Sequence, residues 1–271
     1  GIQEAAWGDH PLARPVIGTR ESLTRLTPES LRRHHRDMVR PGRVLAAVAG
    51  DVDLRELVRR LDRLPLAVPL EPATLPPLVW MGKRRVIERV GADQAHARMA
   101  FPSVAASDPA AIPVGVLNRI LGVGSTSRLF QRLREVEGLT YDIWSSSALR
   151  RSGGLLEIGW TCSPAVFQDV WLLVEEELRR IAVDLVDDEV EVALEGIVRG
   201  LDMDSELQAA RCAMDVGEVL DRRRRFDQER TREEILAVTP DQIRELAAGM
   251  FRAERMATAV CGPDGLASLV P

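Results

Sequence analysis

Two periods of hydrophobic and polar positions divide the 271 residues into elements. Apolar side chains three or four apart predict amphipathic helices, and apolar side chains two apart predict half-buried strands. Strand character runs over 84–101, with alternation clearest in His96-Ala-Arg-Met-Ala-Phe101. Ile112, Val116, Leu117 and Ile120 then share one face of a helix that Ser107 caps and that continues through Leu121. Gly122-Val-Gly124 breaks it. A second helix restarts at Ser125 or Thr126, turns Leu129, Phe130, Leu133 and Val136 inward, and ends at Gly138. Segments 139–147 and 155–162 read as a hairpin joined by Arg150-Arg-Ser-Gly-Gly154, with Leu156, Ile158, Trp160 and Cys162 on one face. Ser163-Pro164 opens a helix striped by Phe167, Val170, Trp171, Val174, Leu178 and Ile181, and helical segments fill 187–238. This order of elements is α+β.

The pattern also repeats. Shifted by 212 residues, segment 19–54 lies over 231–266 without a gap, and 13 of the 36 positions are identical. Thr27/Thr239, Pro28/Pro240, Met38/Met250, Gly50/Gly262 and Leu54/Leu266 are among them. Each copy opens with a threonine N-cap and a proline in the first helical position, and Gln242 stands where it can close a capping box on Thr239. Helices at 31–38 and 243–251 follow, then short apolar strands at 44–49 and 256–261, each stopped by glycine. Between the copies, Pro65, Pro69, Pro72, Pro76 and Pro77 mark an extended linker. A duplication of this period puts the counterpart of Arg84 about 128 residues upstream of Gly1. The expected organisation is the C-terminal remainder of a first domain at 1–63, a proline-rich linker at 64–83 and a second domain at 84–271. Each domain would pair an antiparallel sheet with helices on one face, the first domain being incomplete here.

Composition narrows the classes. Hydrophobic residues at 45% and charged residues at 28% make the chain globular, and 4% aromatic content leaves Leu, Val, Ile and Ala to fill the core. No apolar run approaches membrane-spanning length. A net charge of −5 disfavours nucleic acid as a partner, and Arg222–Arg225 reads as a solvated helix–helix loop. The three cysteines, Cys162, Cys212 and Cys261, are far apart and form no C-x-x-C, which argues against a disulfide framework and points to a cytoplasmic location. None of His10, His34, His35 and His96 shows the spacing of a helical metal pair, so no metal site is expected in the chain. His10 is expected to pack its own His-Pro-Leu turn, with His34 and His35 on a wet helix face.

Three stretches resemble the insulinase/pitrilysin metallopeptidases, in particular their two-domain, mitochondrial processing peptidase-like bacterial members. They are Trp7-Gly-Asp-His-Pro-Leu-Ala-Arg-Pro-Val-Ile-Gly-Thr19, then Leu31-Arg-Arg-His-His35 leading into Arg40-Pro41 and Ala49-Gly-Asp-Val-Asp53, and Ser125-Thr-Ser-Arg-Leu-Phe-Gln131 with Leu133-Arg-Glu-Val-Glu-Gly-Leu-Thr-Tyr141. The resemblance implies a duplicated α+β architecture and zinc-dependent peptide hydrolysis. The family's inverted zinc motif, H-x-x-E-H, is absent, and the helix at the corresponding place reads Leu117-Asn-Arg-Ile-Leu121. Zinc is therefore expected in an N-terminal segment outside this chain or in a partner subunit, which would be a zinc-bearing chain or a second copy of this one. The family's Arg/Tyr pair falls on Arg134 and Tyr141, seven apart, and the resemblance implies that both reach the substrate carbonyl and its oxyanion. Gly122, Gly124 and Ser125 correspond to a glycine-rich, substrate-contacting loop, beside which stands the plainer reading of a helix connection needing positive φ. The implied function is the substrate-binding part of a zinc endopeptidase acting on peptides. The alternative is a non-catalytic structural or assembly subunit of the same fold.

Overall fold

The computed structural model describes residues 1–39, 44–64 and 76–270. Its centre is a five-stranded sheet in the order β1-β5-β2-β4-β3. The strands are β1 (Arg84–Glu88), β2 (Ala95–Ser103), β3 (Asp142–Arg150), β4 (Gly153–Cys162) and β5 (Ala257–Gly262). The sheet is antiparallel as expected except at one edge, where β1 runs parallel to β5. The single strand expected over 84–101 is two strands, because the chain turns at Gly91, φ +80°, and β5 inserts between them. The hairpin is β3–β4, starting three residues later than its pattern suggested.

One face of the sheet carries the core. Ala97, Met99, Leu156, Ile158 and Trp160 meet α5 (Ala111–Gly122), α6 (Phe167–Arg180) and α10 (Pro240–Met250). Trp160 and Trp171 pack edge to face at 5.6 Å, and Phe101 and Phe251 do the same at 5.2 Å. Three further helices, α7 (Asp187–Glu206), α8 (Gln208–Arg222) and α9 (Gln228–Leu236), fill the expected 187–238 region. Helix α5 is not capped by Ser107. It begins at Ala111, and the Asp108 carboxylate accepts the Ala110 N–H at 2.8 Å. Pro109 disfavours helical backbone at Asp108, which delays the start. No helix among the described residues is long and apolar enough to cross a membrane.

The opposite sheet face is half covered. Ile2, Ala5, Ala6 and Trp7 of α1 (Ile2–Trp7) lie on Ala100, Leu155 and Ala257. The carbonyls of Ala5 and Ala6 accept the N–H groups of Lys83 and Met81, so the chain returning from the linker region ties α1 to the sheet. His10 packs its own turn as expected, with Nδ1 accepting the Leu12 N–H and Nε2 3.1 Å from the Pro76 carbonyl. The expected linker lies mostly outside the described residues.

The two repeat copies have different surroundings. Thr27 and Thr239 both cap their helices, and Gln242 closes the capping box at Thr239. Yet in the second copy Ile243, Met250 and Leu266 are 0, 4 and 1% exposed, whereas their counterparts Leu31, Met38 and Leu54 are 53, 49 and 62% exposed. No residue of α2 (Arg20–Thr24), α3 (Pro28–Met38) or α4 (Leu54–Leu61) is buried. The strand expected at 44–49 does not form. A strand exists only in a ladder, and none of the five strands runs beside it. Removing the two caps should therefore have unequal effects. Thr239→Ala lowers unfolding stability by about 1 kcal/mol, and Thr27→Ala leaves the urea midpoint of tryptophan fluorescence unchanged.

Candidate functional site

The segment from Gly122 to Tyr141 is mounted on the core side of the sheet at its β3 edge. Gly122 is buried at the end of α5, where an added Cβ would lie 2.5 Å from the Ser145 backbone nitrogen. Close helix–strand approach thus accounts for this glycine. Gly124, at φ +85°, makes the turn that follows, and its carbonyl accepts the Ser127 hydroxyl at 2.7 Å. Ser125 is exposed, and its carbonyl accepts Gln131 Nε2 at 2.6 Å. Gly124 and Ser125 therefore sit at the surface, and Gly122 does not.

Arg128 fastens this segment to the rest of the domain. Its side chain is 11% exposed and its guanidinium forks onto two carboxylates, with Nε and Nη2 donating to Glu189 at 2.7 and 2.6 Å and Nη1 to Asp184 at 2.5 Å. Glu189 Oε2 also accepts the Val186 N–H, so the same carboxylate holds the start of α7. Asp184 is shared with Arg180 Nε at 2.9 Å, and Arg180 reaches the buried Glu177 at 2.7 Å. Burial opposes the charge on Asp184, but the bonds and charges of Arg128 and Arg180 outweigh it and hold the carboxyl below its usual range. Burial pushes Glu177 up instead, against the charges of Arg180 and Arg128.

Beyond Arg128 the backbone widens into a π-helical turn, Phe130–Val136, closed by Glu137 N–H donating to the Arg132 carbonyl. Leu129 and Leu133 are fully buried, as the pattern predicted. Val136 is exposed, because the extra residue in a π turn rotates it off the buried face. Gly138, at φ +62°, reverses the chain, and the buried Thr140 hydroxyl donates to the Thr161 carbonyl at 2.6 Å. This anchor brings Tyr141 back over the turn. Arg134 and Tyr141 are thereby brought together, with the guanidinium 4.4 Å from the tyrosine ring centroid and 4.7 Å from that of Phe130. Tyr141 is 81% exposed, and among the described residues the nearest carboxylate to Arg134 is Glu135 at 3.9 Å. Two donors, a guanidinium edge and a phenol, face solvent side by side. Such a pair suits an oxygen that carries or gains negative charge.

The expected substrate loop and Arg/Tyr pair are thus neighbours in one segment. Arg128 and Phe130 were not singled out from the sequence as site residues. Arg128 is an arginine inside the Ser125–Gln131 stretch, and its partners Asp184 and Glu189 lie 56 and 61 positions away. On the open sheet face, Arg98 pairs with Glu157 at 2.5 Å and lies over Trp144, while His96 bonds Thr161. Arg222 and Arg224, expected in a solvated loop, instead bridge Glu218 and Glu234 between α8 and α9. The loop is short, and the left-handed Arg223, φ 55°, folds it back onto both helices. Burial pushes the Cys162 thiol up to about 11. Among the described residues no three His, Cys, Asp or Glu side chains gather to hold a metal, so the residues present do not fit a zinc site.

Residues 25–197 match the sequence profile described as "Peptidase M16 inactive domain". The chain is 32% identical to an uncharacterized zinc protease of Streptomyces coelicolor over 95% of its own length and 58% of that protein. It is also 32% identical to one of Mycobacterium leprae, over 98% of its length and 61% of the relative. The chain thus spans about three-fifths of the length of these relatives. Its fold is that of a peptidase M16 inactive domain from Pseudomonas fluorescens, with TM-score 0.81, 21% identity, and coverage of 97% of this chain and 64% of the other. A chain of complex III2 from Candida albicans superposes with TM-score 0.85 at 17% identity, covering 96% of this chain and 65% of that one.

Removing the Arg128 fork leaves Glu189 without its ion pair and Asp184 with Arg180 alone. Arg128→Ala should lower unfolding stability by about 3 kcal/mol in urea titrations. A depressed carboxyl stabilises the fold above its ordinary value, 3.8 for Asp184, and that contribution is lost as pH falls. Asp184→Asn should accordingly narrow the stability difference between about pH 5 and about pH 3.

Proposed function

The chain belongs to the peptidase M16 family, and from that premise we propose that it supplies the substrate-binding, oxyanion-stabilising part of a zinc-dependent endopeptidase. The observation that carries this reading is the Arg134–Tyr141 pair. A guanidinium and a phenol are stacked at 4.4 Å on an exposed edge, with their donors not consumed by a close carboxylate. In this reading Arg134 donates N–H groups to a peptide carbonyl, and Tyr141 donates its phenolic proton in a hydrogen bond to the same oxygen. Both bonds strengthen as the oxygen gains negative charge, which is what accelerates acyl transfer. In the same reading Gly124 and Ser125, exposed in the same segment, contact the substrate, and Gly122 seats their loop against β3. Zinc, when bound, supplies Lewis acidity. Its ligands belong to residues outside this chain, in an upstream segment or in a partner subunit, and the uncovered faces of α3 and α4 support a covering half of that kind. Peptide substrates would lie extended between the halves, and the absence of paired cysteines supports a cytoplasmic setting.

Two measurements test this. In the full-length protein with its zinc-bearing half, Arg134→Ala and Tyr141→Phe should each lower kcat on a peptide about 100-fold without changing the unfolding midpoint. Undiminished kcat in both would identify a non-catalytic subunit of the same fold. Metal analysis of the full-length chain separates the two assemblies. One zinc per chain indicates a self-contained enzyme, and none indicates a partner that carries it.

A further inference from the structure

Arg128 and Arg134 lie six residues apart and are held in opposite ways. The donors of Arg128 are used by Glu189 and Asp184, so that guanidinium has no free edge with which to bind a substrate. Among the described residues Arg134 has no carboxylate within hydrogen-bond distance, the nearest being Glu135 at 3.9 Å. What holds it is a pair of aromatic faces, Phe130 at 4.7 Å and Tyr141 at 4.4 Å. An aromatic face attracts a cation without accepting its N–H groups in the plane. Contact with two rings therefore restricts a long, flexible side chain and leaves its donors available. A carboxylate in the place of Phe130 would orient the guanidinium equally well but would neutralise it and take those donors.

We propose that Phe130 is a positioning residue for Arg134, orienting the guanidinium against Tyr141 by stacking while leaving its N–H edge free. The π-helical turn contributes to this geometry. Leu129 and Leu133 are buried on the core side, Phe130 is half-buried beside them, and the widened turn carries Arg134 over the Phe130 ring. Tyr141 supplies the second ring because Gly138 and Thr140 return the chain. The inference rests on the reading of Arg134 as a donor to the substrate oxygen.

The test combines kinetics with a direct view of the stack, both in the full-length protein with its zinc-bearing half. Phe130→Leu keeps an apolar side chain of similar size and removes the ring. It should lower kcat about tenfold and change KM by less than about twofold. Phe130→Tyr restores the face and should restore kcat. In protein labelled with 13C-tyrosine, the ring signal lost in Tyr141→Phe should shift in Arg134→Gln, and Phe130→Leu should shift it in the same direction. An unmoved Tyr141 signal in Phe130→Leu, wild-type kcat in that variant, or failure of Phe130→Tyr to restore kcat would each overturn the proposal. The two readings fail separately. Loss of kcat in Arg134→Gln with none in Phe130→Leu removes only the positioning role. Wild-type kcat in Arg134→Gln removes the assignment beneath it.

Discussion

A sheet has two faces, and water must be kept from at least one of them. Here that constraint falls on the row Ala97, Met99, Leu156, Ile158 and Trp160, which α5, α6 and α10 cover. Burying each of the larger side chains contributes roughly 1.5–3 kcal/mol, and no neighbouring element can move without exposing them. Strand β4 is more confined still, since Leu155 on its other face is covered by α1. The segment carrying Arg134 and Tyr141 inherits its position from this core, because Leu129 and Leu133 are plugged into it. The pair is thus an extension of the core and not a free loop resting on it.

Core packing alone sets the height of that segment but not its rotation. Rotation is set by Arg128, whose fork reaches the α6–α7 junction and shares Glu189 with the cap of α7. A buried cation is tolerated there because every strong donor finds an acceptor. Beyond it the same stretch must do the reverse and present unsatisfied donors to solvent. The change from one mode to the other takes place within a single π-helical turn, and aromatic faces take over from carboxylates across it.

Much of this was legible in the sequence. Period-two and helical patterns located the β3–β4 hairpin, the α6 stripe and the Thr239 capping box, because each depends on local chemistry and one buried face. The spacing of Arg134 and Tyr141 survives as a contact because glycine at 138 forces the return. What was not legible depends on partners distant in sequence. The Arg128 fork joins residues 56 and 61 positions apart, and nothing local distinguishes its arginine from a surface one. The outward turn of Val136 needed a π-helical register that helical periodicity does not contain. The parallel β1–β5 edge joins residues from opposite ends of the domain.

The repeat shows the same division more sharply. Thr27 and Thr239 cap helices in the same way in both copies, because a cap needs only three further residues. The apolar segments after those helices are just as alike, yet 257–262 is a central strand and 44–49 is no strand at all. Local signals thus carry a helix to its end without help, whereas an apolar run becomes a strand only when at least one neighbouring strand takes up its N–H and C=O groups. The second copy has β1 and β2 for this purpose. The first copy keeps the sequence of a sheet-forming unit, and its apolar positions Leu31, Met38, Val48 and Leu54 remain in water. Most positions buried in the second copy keep an apolar side chain in the first, His35 opposite Ala247 being an exception, so the first copy retains the face of a packed unit while lacking, among the described residues, the ladder that would order its apolar run.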